Sequence, residues 1–468
     1  MKLRKSIKTL FLLVVLFLLC GCTSTNEDYK QKAKDEYLSD KGVDLDGLGT
    51  KESPYMIYNP RDFNQIKQNP KGYYKLANNI DFNSEHYMEE NGLYYFGYEP
   101  VLVFTGGLDG DGYTLKYEGD IVKPLFMNLE KALISNLVID WNIENHKTTM
   151  EIYSSISNSY DYGIITNHNL DSVINNIELN VSLKINITER KVNPFERNIS
   201  AVAGINRGQI SNINGNVDVY FRGQNSSAYE SKVNYGSISG NNYGIINNIN
   251  IINNLDIDTS KEVHELRVGG ISGYNNGMIS ICRASSIITA KSTKNDPMAD
   301  GSVSSGGVVG INSGFGVIKD IYTYNNNIDS YSMSFTYSAG IAGENNGVVS
   351  NTYSSGLYKS SGYWSSFISD PKTGLIVAAG SADEVLNNVT YSDTKTNIYG
   401  FNGRLDTNIL LSSTSELESF IVTNKNNGYF NSINWDNDHF RLVLDEDYWS
   451  YDYNSDNYTF LLVGGLYE

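Results

Sequence analysis

AVAGINRGQISNI from Ala201, YGSISGNNYGIINNI from Tyr235, VGGISGYNNGMISIC from Val268, SGGVVGINSGFGVIKDI from Ser305 and SAGIAGENNGVVSNTY from Ser338 are five versions of one sentence. Each holds a G-x-N-x-G core followed by a short apolar run. The first glycine of the core falls at Gly204, Gly240, Gly273, Gly310 and Gly343, in steps of 36, 33, 37 and 33 residues. A near-constant period of this length marks a repeat architecture, in which each unit buries its apolar face against its neighbours. Degenerate copies extend the array: Asn167 and Asn128 take the glycine position upstream and Gly380 takes it downstream, which predicts about eight rungs.

The columns of the repeat carry the physics. One runs Ile134, Ile174, Ile210, Ile246, Ile279, Ile318, Val349, Leu386, and a second, three residues on, runs Leu137, Ile177, Ile213, Ile249, Cys282, Ile321, Thr352, Val389. Side chains alternate with period two along a flat strand, so two apolar columns three apart face the same way only if the backbone bends between them. The residues between are Asn136, Asn176, Asn212, Asn248, Ile281, Asp320, Asn351 and Asn388. Asn tolerates the left-handed conformation such a bend requires, and like residues then stack rung upon rung. The pattern predicts an all-β, right-handed parallel β-helix of about eight coils, closed by short helical caps at both ends. Glycine, asparagine and β-branched residues at these positions argue against helical repeats.

The repeats resemble the GLUG motif of bacterial surface proteins, which reads roughly G-G-[LI]-V-G-x-N-x-G-x-I-x-N-C-Y-A; AGIAGENNGVVSNTYSSG from Ala339 is a close copy, and the family's cysteine occurs once, as Cys282. The resemblance spans most of the chain from about Gly49 and implies a solenoid displayed at the cell surface. Similar repeats lie beside the peptidase domain of IgA-cleaving metallopeptidases. The zinc signature H-E-x-x-H of such a domain does not occur in this sequence: HELRV from His264 lacks the second histidine.

The organisation expected along the chain is a lipoprotein leader over 1–22, a flexible tether over 23–41, an N-terminal cap and lead-in over 42–122, the repeats over 123–404 and a C-terminal cap over 405–468. Lys2, Arg4, Lys5 and Lys8 precede the apolar run Leu10–Leu19, and Leu19-Cys20-Gly21-Cys22 looks like a lipobox. That pattern predicts cleavage after Gly21, a diacylglyceryl thioether on Cys22, and display outside the cell membrane through the lipid. Removing the leader makes the chain four units more negative than its formal −17, a surface that repels nucleic acid. Asn59 is a helix N-cap candidate with Pro60 at the first helical position and Asp62 in the first turn. Ser413-Thr414-Ser415-Glu416 is a capping box near the other end.

Chemistry is sparse. No phosphate-binding glycine loop and no nucleophile elbow occurs in a strand-to-helix context, and no cofactor is expected. Asp109 and Asp111, or Asp452, Asn454 and Asp456, are calcium candidates, but neither set has the glycine or closing glutamate of an EF-hand loop. Polar inter-repeat stretches at 150–160, 184–197, 224–233, 291–301 and 358–371 are expected as loops and as the recognition surface. Tyr358, Tyr363 and Trp364 are the candidate ligand contacts there, because flat amphipathic rings suit sugar faces and protein interfaces alike. The function expected is a surface binding or adhesion module that takes a glycan or protein without turnover, not an enzyme. The alternatives are a passive structural surface protein and a polysaccharide-degrading β-helix enzyme.

Overall fold

The computed structural model describes residues 43–83, 98–119, 122–149, 159–189, 196–222, 232–259, 265–292, 302–332, 334–362 and 371–380, with short strands at 385–386, 389–391, 409–411, 449–451 and 460–462. The chain divides into two units after Asp44, and the solenoid lies in the second.

Each full coil has three walls, and one coil illustrates all six. Glu265–Gly269 lies in the first wall, Ser272–Asn275 in the second, and the long strand Met278–Ser292 in the third. Every strand pairs in parallel with its counterparts one repeat before and one after. Full coils begin at Ser159, Glu196, Lys232, Glu265, Ser302 and Thr336. The expectation of about eight coils is therefore corrected to six. The rungs before Ser159 lack a first-wall strand among the described residues, and the rung after Gly362 has its first two walls, Pro371–Gly374 and Val377–Gly380, but in place of the long third-wall strand only the short strands Val385–Leu386 and Val389–Tyr391.

The third wall bends where the sequence requires it. Asn136, Asn176, Asn212, Asn248, Ile281, Asp320 and Asn351 all have φ between 51° and 57°. The flanking columns stack in register: Ile134, Ile174, Ile210, Ile246, Ile279, Ile318 and Val349 are each fully buried. Cys282 takes the place of an isoleucine in the second column, is fully buried, and donates to the Ser280 carbonyl at 3.0 Å. Asn136, Asn176, Asn212, Asn248 and Asn351 lie at the half-exposed or exposed outer side of the bend. Asn176 donates to Asn136 at 2.7 Å, Asn248 donates to Asn212, and Asn351 donates to Asp320 at 3.2 Å. Asn212 instead donates to Asn175 at 2.7 Å. Asn388 lies outside the described residues.

A second asparagine ladder runs inside. The central asparagines of the G-x-N-x-G cores, Asn206, Asn242, Asn275, Asn312 and Asn345, are fully buried, as is Asn169 one coil earlier. Their side chains form an unbroken chain at 2.7–2.8 Å from Asn169 to Asn345. Asn275 Oδ1 also accepts the backbone N–H of Gly277 at 3.3 Å, so one side chain closes the corner and ties three coils. From Asn206 to Asn345 both polar ends of each amide are thereby satisfied, in an environment where a bare one would cost about 1–3 kcal/mol.

The leading glycines act through proximity rather than backbone dihedral. A Cβ on Gly240 would come within 2.5 Å of the Asn198 carbonyl carbon, and one on Gly273 within 2.3 Å of the Tyr235 nitrogen. The second wall thus presses directly on the first wall of the preceding coil. The opposite face of the first wall packs on the far half of the third, as Phe221 and Tyr235 show at 6.3 Å between ring centroids.

At the N-terminal side a short helix, Pro60–Asn64, continues into a 3-10 turn, Gln65–Gln68. Asn59 accepts the Asp62 N–H at 3.1 Å, and Phe63 and Ile66 are fully buried. The capping box at Ser413 lies outside the described residues.

Candidate functional site

Three clusters of polar side chains stand out, the first of them largely buried and the other two on the outer face of the coils.

The first is a seam where the first and second walls meet. Asp161, Asn198, Asn234 and Arg267 stack in one column of the first wall. Asn198 donates to Asp161 at 2.6 Å, Asn234 to Asn198 at 2.7 Å and to Glu196 at 2.7 Å. Arg267 pairs through Nε and Nη2 with Glu265 at 2.8 and 2.7 Å and lies over the Tyr274 ring at 4.6 Å. His168 bonds Asp161 through Nε2 and Asn128 through Nδ1, both at 2.7 Å. Both ring nitrogens of His168 are engaged, so the imidazole ties Asp161 of one wall to Asn128 of another. The seam is a cross-coil zipper.

The second cluster is a trough of about 400 Å³ on the outer face of the third wall. Lys116, Asp140 and Asn180 align in one column, and Glu118, Asn142 and Ser182 in the next. Glu144 and Lys184 complete the lining. Asn180 donates to Asp140 at 2.7 Å. Trp141 and Tyr117 turn inward and are buried, so the trough presents carboxylates, amides, a hydroxyl and ammonium groups, all suited to hydroxyl-rich ligands.

The third is a depression of about 330 Å³ before the bend of the same wall, lined by Lys51, Pro54, Tyr73, Lys75, Asp109, Leu133 and Ser135 among others. The calcium candidate Asp109-Gly110-Asp111 forms its edge and is a turn. Asp111 sits at φ 51° and pairs with Lys75 at 3.0 Å. Asp109 Oδ1 accepts the Asp111 N–H at 3.0 Å and Asn136 Nδ2 at 2.8 Å. Asp111 is committed to Lys75, and Asp109 holds the turn and starts the outer ladder through Oδ1 alone. Among the described residues no group of three His, Cys, Asp or Glu side chains is placed to hold a metal ion.

Of the aromatic contacts expected from the sequence, Tyr358 is corrected. It lies within the strand Val348–Gly362, is 3% exposed, and its hydroxyl meets Ser354 at 2.7 Å and Asn326 at 3.4 Å. Burial pushes its phenol up to about 12, and a ring so enclosed offers no face to a ligand. The stretches expected as loops from Lys184 and from Tyr358 begin as strand, because the third wall runs on to Glu189 and to Gly362. Tyr363, Trp364, His264, Asp452, Asn454, Asp456 and Cys22 lie outside the described residues. Sequence reasoning missed Tyr73, Gly107 and Asp109 as neighbours, since only the register Tyr73–Gly107–Leu133 brings them together.

No protein-family model matches the chain, and no curated protein matches it. One solved structure is similar: a crystal structure described as "a putative immunoglobulin A1 protease from Bacteroides ovatus", with 16% identity, coverage of 91% of this chain and 96% of that chain, and a TM-score of 0.38.

Proposed function

We propose that this chain is a lipid-anchored surface module of the GLUG-repeat kind that binds an extended glycan or protein ligand and releases it unchanged. The observation that carries the reading is the outer face of the third wall. It bears two depressions with uncommitted polar groups, one on each side of the bend, on a rigid parallel scaffold. Rigid walls hold such groups at the spacing of the strands, about 4.8 Å per coil, which suits a ligand that repeats along its own length. The anchor follows from the LCGC motif ending at Cys22. The purified full chain, screened on immobilised glycans and on extracellular matrix proteins, is expected to be retained by one class of ligand. Retention by none on either surface refutes the reading.

A second reading, cleavage of a polysaccharide, is favoured by one observation. Glu118, Asp140 and Glu144 line the same trough, and glycoside hydrolysis uses paired carboxylates flanking the scissile bond.

A further inference from the structure

We propose that the depression beside Tyr73 is a saccharide site that takes one sugar unit carrying a carboxylate, such as a uronic acid at a chain end. The proposal deepens the binding reading above and rests on it.

The depression has a cause in the register. Tyr73, Gly107 and Leu133 are successive members of one outward column, and Lys75, Asp109 and Ser135 are successive members of the next. The glycine leaves a gap in the middle of the first column. The Tyr73 ring leans over that gap, because a Cβ on Gly107 would come within 2.6 Å of it. Leu133, 39% exposed, forms the far side. A ring over a strand glycine also shields bare backbone, and that alone would be structural. The polar groups around it point further.

Three of them are uncommitted among the described residues. Lys51 has no carboxylate partner, and its ammonium lies 5.6 Å from the centre of the Tyr73 ring. Asp109 uses Oδ1 for both its hydrogen bonds and leaves Oδ2 open. The Ser135 hydroxyl has no hydrogen-bond partner. An ammonium, a carboxylate oxygen and a hydroxyl therefore converge on a space walled by a ring and a leucine. The ring and leucine match the C–H face of a pyranose, Asp109 Oδ2 and Ser135 match its hydroxyls, and Lys51 matches a carboxylate. The volume, about 330 Å³, is at the small end of ligand pockets, which fits one unit rather than a chain segment.

The test uses the purified full chain and two probes, a trisaccharide ending in glucuronic acid and the same trisaccharide ending in glucose, followed by calorimetry. The acidic probe is expected to bind at least about tenfold more tightly than the neutral one, a factor that corresponds to about 1.4 kcal/mol. Lys51→Ala, at an exposed position, is expected to abolish that preference, and Ser135→Ala to weaken both probes. Gly107→Ala is expected to displace the ring and lose both; if its circular dichroism departs from the wild type, Tyr73→Ala takes its place. Phe315→Ala, at an exposed turn several coils away and outside both depressions, is expected to leave both unchanged. Equal affinity for the two probes, or an undiminished preference in Lys51→Ala, overturns the proposal. Failure of either probe to bind the wild type also overturns it, and leaves the wider binding reading to be judged by the glycan and matrix-protein screen.

Discussion

Replacing Ile281 by asparagine should make the protein more stable. Ile281 occupies the bend of its coil at φ 54°, where the six other rungs with this bend place Asn or Asp at φ 51–57°. For an L-residue the left-handed region costs about 1–2 kcal/mol, and a β-branched side chain lies at the costly end because its two γ-carbons crowd the carbonyl. Asparagine occupies that region with little strain. Against this stands the apolar area lost. Ile281 is only half-buried, so the loss is a fraction of the roughly 1.5–3 kcal/mol for a fully buried side chain, on the order of 1 kcal/mol. The net expectation is a gain of up to about 1 kcal/mol. The reciprocal change, Asn248→Ile, adds the strain and removes the bond to Asn212, and should destabilise by about 1–3 kcal/mol. Urea titration followed by tryptophan fluorescence and by circular dichroism, run on both variants side by side, reads the two midpoints. A lowered midpoint for Ile281→Asn together with an unchanged one for Asn248→Ile would refute the assignment of the asparagine column to backbone bending.

Three other outcomes are expected. Asn275→Leu breaks bonds to Asn242, Asn312 and Gly277 in the buried ladder and should lower stability by about 2 kcal/mol or more, read as a urea midpoint; an unchanged midpoint would mean the inner ladder does not form. Burial pushes the Cys282 thiol up to about 12, so native protein should resist a maleimide at pH 8 and react once unfolded. The linkage has a definite sign: the unfolded chain releases this proton near pH 9 and the native chain near 12, so the thiol's contribution to stability is complete below 9 and is lost as pH rises through that window. Cys22→Ala should abolish labelling by a radioactive fatty acid and release the protein from membranes; continued labelling would remove the anchor from the account.

The bend was legible because it needs a residue type. A column of asparagine between two apolar columns three apart has few structural solutions, and φ at Asn136 through Asn351 matches the one inferred. The inner ladder was written just as plainly, at Asn206, Asn242, Asn275, Asn312 and Asn345, but a glycine-flanked asparagine reads as turn punctuation. Its burial depends on the second wall pressing on the first, a contact between coils that no single repeat displays. Tyr358 misled for a local reason. Its neighbours Leu357, Lys359 and Ser360 are polar or exposed, so the stretch reads as a polar loop, whereas it is the alternating end of a long strand with Tyr358 on the inner side. The depression at Tyr73 was illegible because it rests on pairings 26 and 34 residues apart in the irregular lead-in, where no period guides the alignment.

The central functional claim is binding without turnover, and the direct measurement is the mass of the ligand afterwards. The glycan or protein that the full chain retains is incubated with it for a day and analysed by mass spectrometry. Binding without turnover leaves the mass distribution unchanged. A glycan shortened progressively by the wild type, and left intact by Glu118→Gln or Asp140→Asn, would contradict the account and identify the trough as a cleavage site.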